Sequence, residues 1–154
     1  MVEQLDEKTA LILALIKMAQ VDGKVNHYEQ MNISMLTNTL GVDHAKVMLL
    51  KKDLDNVPVV APDSEKDKVK YYWRMLIMMK MDLQAHEKEI ELGKELGVAL
   101  GLPLNEVVGL MDYMVENINK FIGLEKFEAQ LELVRKDPNY QPKLNLFQRL
   151  WNKL

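Results

Sequence analysis

The chain has no cysteine. That excludes a disulfide scaffold, a Cys-ligated zinc site, an iron–sulfur cluster and a thiol nucleophile. Serine is scarce as well: only Ser34 and Ser64 occur, and neither stands in a Gly-x-Ser-x-Gly elbow. The seven glycines form neither a Gly-x-Gly-x-x-Gly turn nor a Walker loop, so no phosphate-cradling motif is present. Long apolar runs are missing. The longest are Ala10–Ile16 and Met75–Met79, far short of the roughly 18 residues of a membrane-span candidate. The start, Met1-Val-Glu-Gln-Leu-Asp-Glu-Lys, is acidic, unlike the basic start of a signal peptide. The net charge of -3 makes no case for nucleic-acid binding. These absences predict a cytoplasmic protein with no transmembrane segment and no nucleic-acid partner.

What is present is an ordinary globular balance, 48% hydrophobic and 28% charged over 154 residues. This length suits one domain, which at this size buries roughly 70% of the unfolded chain's surface. The patterning is helical nearly throughout, with no sustained polar/apolar alternation and no Asn-Gly hairpin turn. It predicts helices over about 6–21, from Asn26 to Leu40, from Asp43 to about Asp53, and from Ser64 to about Met81. Further helices are expected over about 86–100, from Pro103 to about Ile122 with Gly123 as the stop, over 124–136 and over 144–153. The stretch around Pro58 and Pro62 reads as an extended connection. Two segments, Ala10–Ile16 and Tyr71–Met79, are apolar almost all round and belong at the centre of the fold.

The chain also aligns with itself at a shift of 60. Between 11–50 and 71–110, eight of 40 positions are identical, where composition alone gives about three. The pairs include Met18/Met78, Asp22/Asp82, Glu29/Glu89, Leu40/Leu100 and Gly41/Gly101. The shift pairs the two apolar helices and both Leu-Gly helix ends. The expectation is an all-α single domain of seven or eight helices, built as two pseudo-symmetric three-helix halves around two central buried helices. Residues 1–136 form that domain, and 137–154 form a linker and a C-terminal amphipathic helix.

The densest motif is Asp22-Gly23-Lys-Val-Asn26-His-Tyr-Glu29. It matches the second half of an EF-hand loop, but the first two ligand positions fall on Met18 and Gln20, so an EF-hand is excluded. Helix capping accounts for every residue. Asn26-x-x-Glu29 is a capping box, Gly23 supplies a left-handed helix end, and Asp22 can accept from turn amides. In the second unit His86 replaces Asn26 and Leu83 replaces Gly23, yet Asp82 and Glu89 persist. Carboxylates kept where turn chemistry has drifted favour a second role, such as a cation site.

An apolar helix, then Ala-x-x-Asp-Gly-x-Val-x-x-x-Glu and Leu-Gly-Val, repeated as Asp82…His-x-x-Glu89…Leu-Gly-Leu, resembles the TerB-like family of tellurite-resistance domains. The resemblance covers about residues 8–120. It implies an all-α domain of two pseudo-symmetric halves, non-enzymatic, linked to bacterial stress and tellurite resistance. It also implies metal binding by the acidic motif residues, here Asp22, Glu29, Asp82 and Glu89. Leu83 departs from the glycine expected in the second unit.

Other candidates are weaker. Asp82, His86 and Glu89 could be drawn as a zinc site, but a helix break expected near 83–86 spoils the shared face, and no second histidine stands at ligand spacing. The methionines of the fourth helix, Met75, Met78, Met79 and Met81, read as core filler. Gly93 and Gly97, at i and i+4, should let a neighbouring helix approach closely. Residues 135–154 carry five cations against Asp137 alone, a net of +4, leaving -7 for the rest. Within them Leu146, Phe147, Leu150, Trp151 and Leu154 share one helical face. That face should fold back over a groove, dock on a partner, make a homodimer or, weakly for its few charges, lie on an acidic membrane surface. The sequence thus supports a binding or scaffold domain in a stress-associated assembly, with an unidentified protein partner and no required cofactor. The alternative is a metal-dependent enzyme or ion-binding protein that uses the acidic turns and a divalent cation.

Overall fold

The computed structural model describes residues 5–21, 23, 25–81 and 87–137. The elements follow as α1 (Glu7–Gln20), α2 (His27–Thr39), α3 (His44–Leu50), a 3-10 turn (Lys51–Asn56), α4 (Glu65–Lys80), α5 (Glu87–Ala99), α6 (Leu104–Glu116) and α7 (Leu124–Lys136). No strand occurs among the described residues.

Side-chain caps set the helix starts. Asp6 accepts from the Thr9 amide and hydroxyl, both at 2.8 Å. The Thr9 amide is the main reason the Asp6 carboxyl titrates below its ordinary value, against a smaller opposing effect of burial. Asp43 accepts from Ala45 N at 2.9 Å, and Ser64 from Asp67 N at 3.1 Å. The ends of α2 and α5 repeat bond for bond at the spacing of 60. Gly41 N donates to Asn38 O and Val42 N to Thr37 O; Gly101 N donates to Val98 O and Leu102 N to Gly97 O. Both glycines have positive φ, +69° and +94°, which a side chain would oppose.

The core is built on α1 and α4, which pack against each other. Leu11 to Ile16 are buried without a break, as are Tyr71, Tyr72, Met75, Leu76, Met78 and Met79. α1 also touches α2, α3 and α5, while α4 touches α5, α6 and α7. Tyr71 donates to Glu7 at 3.3 Å across the pair. Met18, Met111 and Met114 are buried with them, so the core-filler reading of the α4 methionines holds for Met75, Met78 and Met79. Gly93 and Gly97 lie against neighbouring side chains: a Cβ on Gly97 would stand 2.9 Å from the Tyr72 ring and from Val107.

Three expectations need correction. Helix six stops at Glu116, not Ile122. The chain beyond it is held by α4: Lys80 Nζ donates to the Asn117 carbonyl and, at 2.6 Å, to that of Lys120, and Trp73 Nε1 donates to Ile122 O at 2.9 Å. Carbonyls engaged this way take their partners from α4 rather than from a continuing helix. Burial pulls the Lys80 ammonium below its ordinary 10.5. Gly123 begins α7 as its N-cap instead of ending α6. The third helix tightens into a 3-10 turn after Leu50, with Asp53 off the helical region at φ -142°, ψ 61°. The expected 144–153 helix lies outside the described residues.

A second polar tie joins α4, α6 and α7. The Arg135 guanidinium reaches Glu106 at 3.0 Å, Glu132 at 3.5 Å, and Glu65. Glu106 is buried.

Candidate functional site

The motif turn leaves α1 after Gln20, and the Gly23 amide donates to Gln20 O at 2.9 Å. Gly23 sits at φ +128°, the positive-φ residue expected of a glycine at a helix end. Asn26 then caps α2 reciprocally: Glu29 N donates to Asn26 Oδ1 at 2.8 Å, and Asn26 N donates to Glu29 Oε1 at 2.9 Å. The capping box read from the sequence is therefore present. It satisfies two amides with no intrahelical partner and sets a carboxylate on the positive end of the helix dipole.

Glu29 is only 5% exposed, and its repeat equivalent Glu89, in the first turn of α5, only 2%. Two helix-start carboxylates 60 residues apart are thus both withdrawn from water. Asp22, Asp82, Leu83 and His86 lie outside the described residues. Among the described residues no group of three or more His, Asp or Glu side chains is placed to hold a metal ion. His27 and His44 are exposed, and His44 Nε2 meets Asn38 Oδ1 at 2.8 Å, linking α3 to α2.

Sequence reasoning missed the outer face of α2. Tyr28, Met31 and Met35, at i, i+3 and i+7, are 70%, 56% and 60% exposed. On α3 nearby in the chain, Met48 and Leu49 are also exposed. The signal was available: residues 30–42 contain no Asp, Glu, Lys or Arg, and the one carboxylate of α2, Glu29, is buried. A solvent-facing helix without charge, in a chain 28% charged, departs from the usual polar outer face. Interface cores share this composition, rich in Tyr and Met and poor in charge.

Fold and turn together define an all-helical domain whose opening unit carries the Asp-Gly-x-Val-x-x-x-Glu turn. Residues 2–52, about a third of the chain, match the family model described as tellurite resistance protein TerB. The match spans α1, α2 and α3. No curated protein matches the chain, and no solved structure does.

Proposed function

We propose that the chain is a non-enzymatic, cytoplasmic protein-binding domain that works in a stress-associated assembly of the tellurite-resistance kind. The uncharged α2 face carries this reading. Tyr28, Met31 and Met35 form an apolar stripe that a partner can cover without desolvating an ion. The match to the TerB family supports the stress context through the family's name. No helix of the described residues is long and apolar enough to cross a membrane.

The test is photo-crosslinking in the native cell. A photoreactive residue at position 31 or 35 should give one discrete adduct, and Tyr28→Ser should remove it. The same residue at exposed Lys126 on α7 should give none. Adducts from position 126 alone, or identical adducts from both faces, would overturn the reading.

A second reading is a divalent cation held at the acidic turns, where Glu29 and Glu89 are both buried and Glu29 already accepts from the Asn26 amide. Its test is a melting curve with added calcium or zinc. A rise of several degrees that Asp22→Ala abolishes supports a site, because an ion binding only the folded state stabilises it by mass action. No metal-dependent rise leaves capping as the whole role of the motif.

A further inference from the structure

The described chain ends at Asp137, directly after α7, beside a groove that α7 forms with α4. The groove has a volume of about 540 Å³. Val69 from α4 and Leu131 from α7 are buried at its floor, exposed Ala129 lines it, and its rim carries Glu65, Glu125, Glu128 and Glu132. The rim acids are unequal. Glu65 and Glu132 face Arg135, whereas Glu125 and Glu128 have no ion-pair partner among the described residues.

We propose that this groove is the seat of the chain's own C-terminal segment, residues 144–154, returning antiparallel to α7. Three observations carry the proposal, and none depends on the α2 reading. The first is charge. Residues 138–154 contain Lys143, Arg149 and Lys153 and no acid, while the groove rim offers four carboxylates against Lys66 and Arg135.

The second is shape of pattern. Leu146, Phe147, Leu150, Trp151 and Leu154 form one apolar helical face with cations on the other, which suits an apolar floor between acidic rims.

The third is length. Residues 137–143 make a connection of seven residues, within the range of about 2–8 common between packed helices. At about 1.5 Å per residue, an 11-residue helix spans roughly 16 Å, close to the length of α7. A return that begins level with Arg135 brings Arg149 level with Glu128 and Glu132, and Lys153 level with Glu125.

A cysteine-free chain makes the test clean. In the full-length protein, Glu128→Cys and Asn152→Cys are introduced together, and the protein is treated with a short bismaleimide. The expected product is a monomer bridged within one chain, identified by its mass and by one linked peptide pair. The control pair Tyr28→Cys and Asn152→Cys should give at least tenfold less of it. Adding Glu125→Lys to the first pair should cut the yield at least threefold, with an unchanged far-ultraviolet circular dichroism spectrum as the check on folding.

A bridge only between chains would assign the segment to a second copy and overturn the proposal. Failure of the groove pair to bridge would overturn it too, as would equal bridging from Tyr28→Cys. An unchanged yield with Glu125→Lys would overturn the charge argument on which the register rests.

Discussion

Gly97 and Gly93 lie one turn apart on α5, and both lack room for a methyl group, but they differ in what stands in the way. At Gly97 the obstacles are the Tyr72 ring and Val107 Cγ2, each at 2.9 Å. Tyr72 is fully buried, and its ring packs edge-on against Phe127 with centroids 6.3 Å apart. A ring held on several sides cannot step aside. At Gly93 the nearest atom, at 2.5 Å, is the Met111 terminal methyl, the free end of a flexible side chain. Gly97→Ala should therefore destabilise by about 1–3 kcal/mol. Gly93→Ala should be close to neutral, because better helix propensity offsets a small rearrangement. Denaturant midpoints of the two variants, at unchanged slope, check the contrast. Glu29→Ala removes the acceptor of the Asn26 amide and should cost about 1 kcal/mol. Glu29→Gln keeps an oxygen there and should recover most of it in the same measurement.

At the scale of elements, the informative case is the end of α6. Local pattern carries the helix from Pro103 to Ile122, since 117–122 holds no proline and Gly123 is the first glycine after Gly109. The helix ends six residues earlier because Lys80 and Trp73, some 40 residues away in sequence, accept no such continuation: their N–H groups take the carbonyls of Asn117, Lys120 and Ile122. Lys80→Met should destabilise by about 1–3 kcal/mol, the range for stranding buried hydrogen-bonding groups. It should also speed amide exchange in 117–122 more than in α1, as seen by hydrogen exchange. By contrast, the start of α2 was fully legible. Asn26 and Glu29 are three apart, and a capping box needs nothing beyond the first turn. The exposed stripe on α2 was legible in part. Residues 30–42 visibly lack charge, but the apolar residues at 28, 31, 33, 35 and 36 do not say which of them face the core. Only the packing on α1 puts Ile33 and Leu36 inside and leaves Tyr28, Met31 and Met35 in solvent.

For the whole molecule, the central question is whether the segment matching the TerB family can stand alone. Residues 2–52 carry α1 to α3, yet α1 is buried on every side, partly by α4 and α5. A fragment of residues 1–60 leaves Leu11, Leu15 and Met18 with much of their cover removed. It should show no cooperative thermal transition by circular dichroism and should bind a hydrophobic dye, whereas the full chain should melt in one step. A cooperative transition in the fragment would mean that the first unit is an independent domain. The repeat itself recurs in local geometry: α2 and α5, 60 apart, close with the same hydrogen bonds and the same positive-φ glycine. The surroundings are not alike, for α5 packs broadly on α6 while α2 rests chiefly on α1.

Residue order alone sets the helical class, most helix boundaries, the capping box, the two central helices and the Leu-Gly helix ends. Each depends on neighbours within one or two turns, where hydrogen bonds and periodicity follow directly from residue order. Packing settles where α6 stops, which acids from other helices reach Arg135, which face of α2 meets water, and that α4 and α7 leave a groove between them. The α6 end, the reach of Arg135 to Glu65 and Glu106, and the groove depend on residues 29 to 70 positions apart, and the α2 face depends on its packing against α1; a linear pattern holds no record of which distant side chain reaches a given carbonyl or carboxylate until the helices are packed.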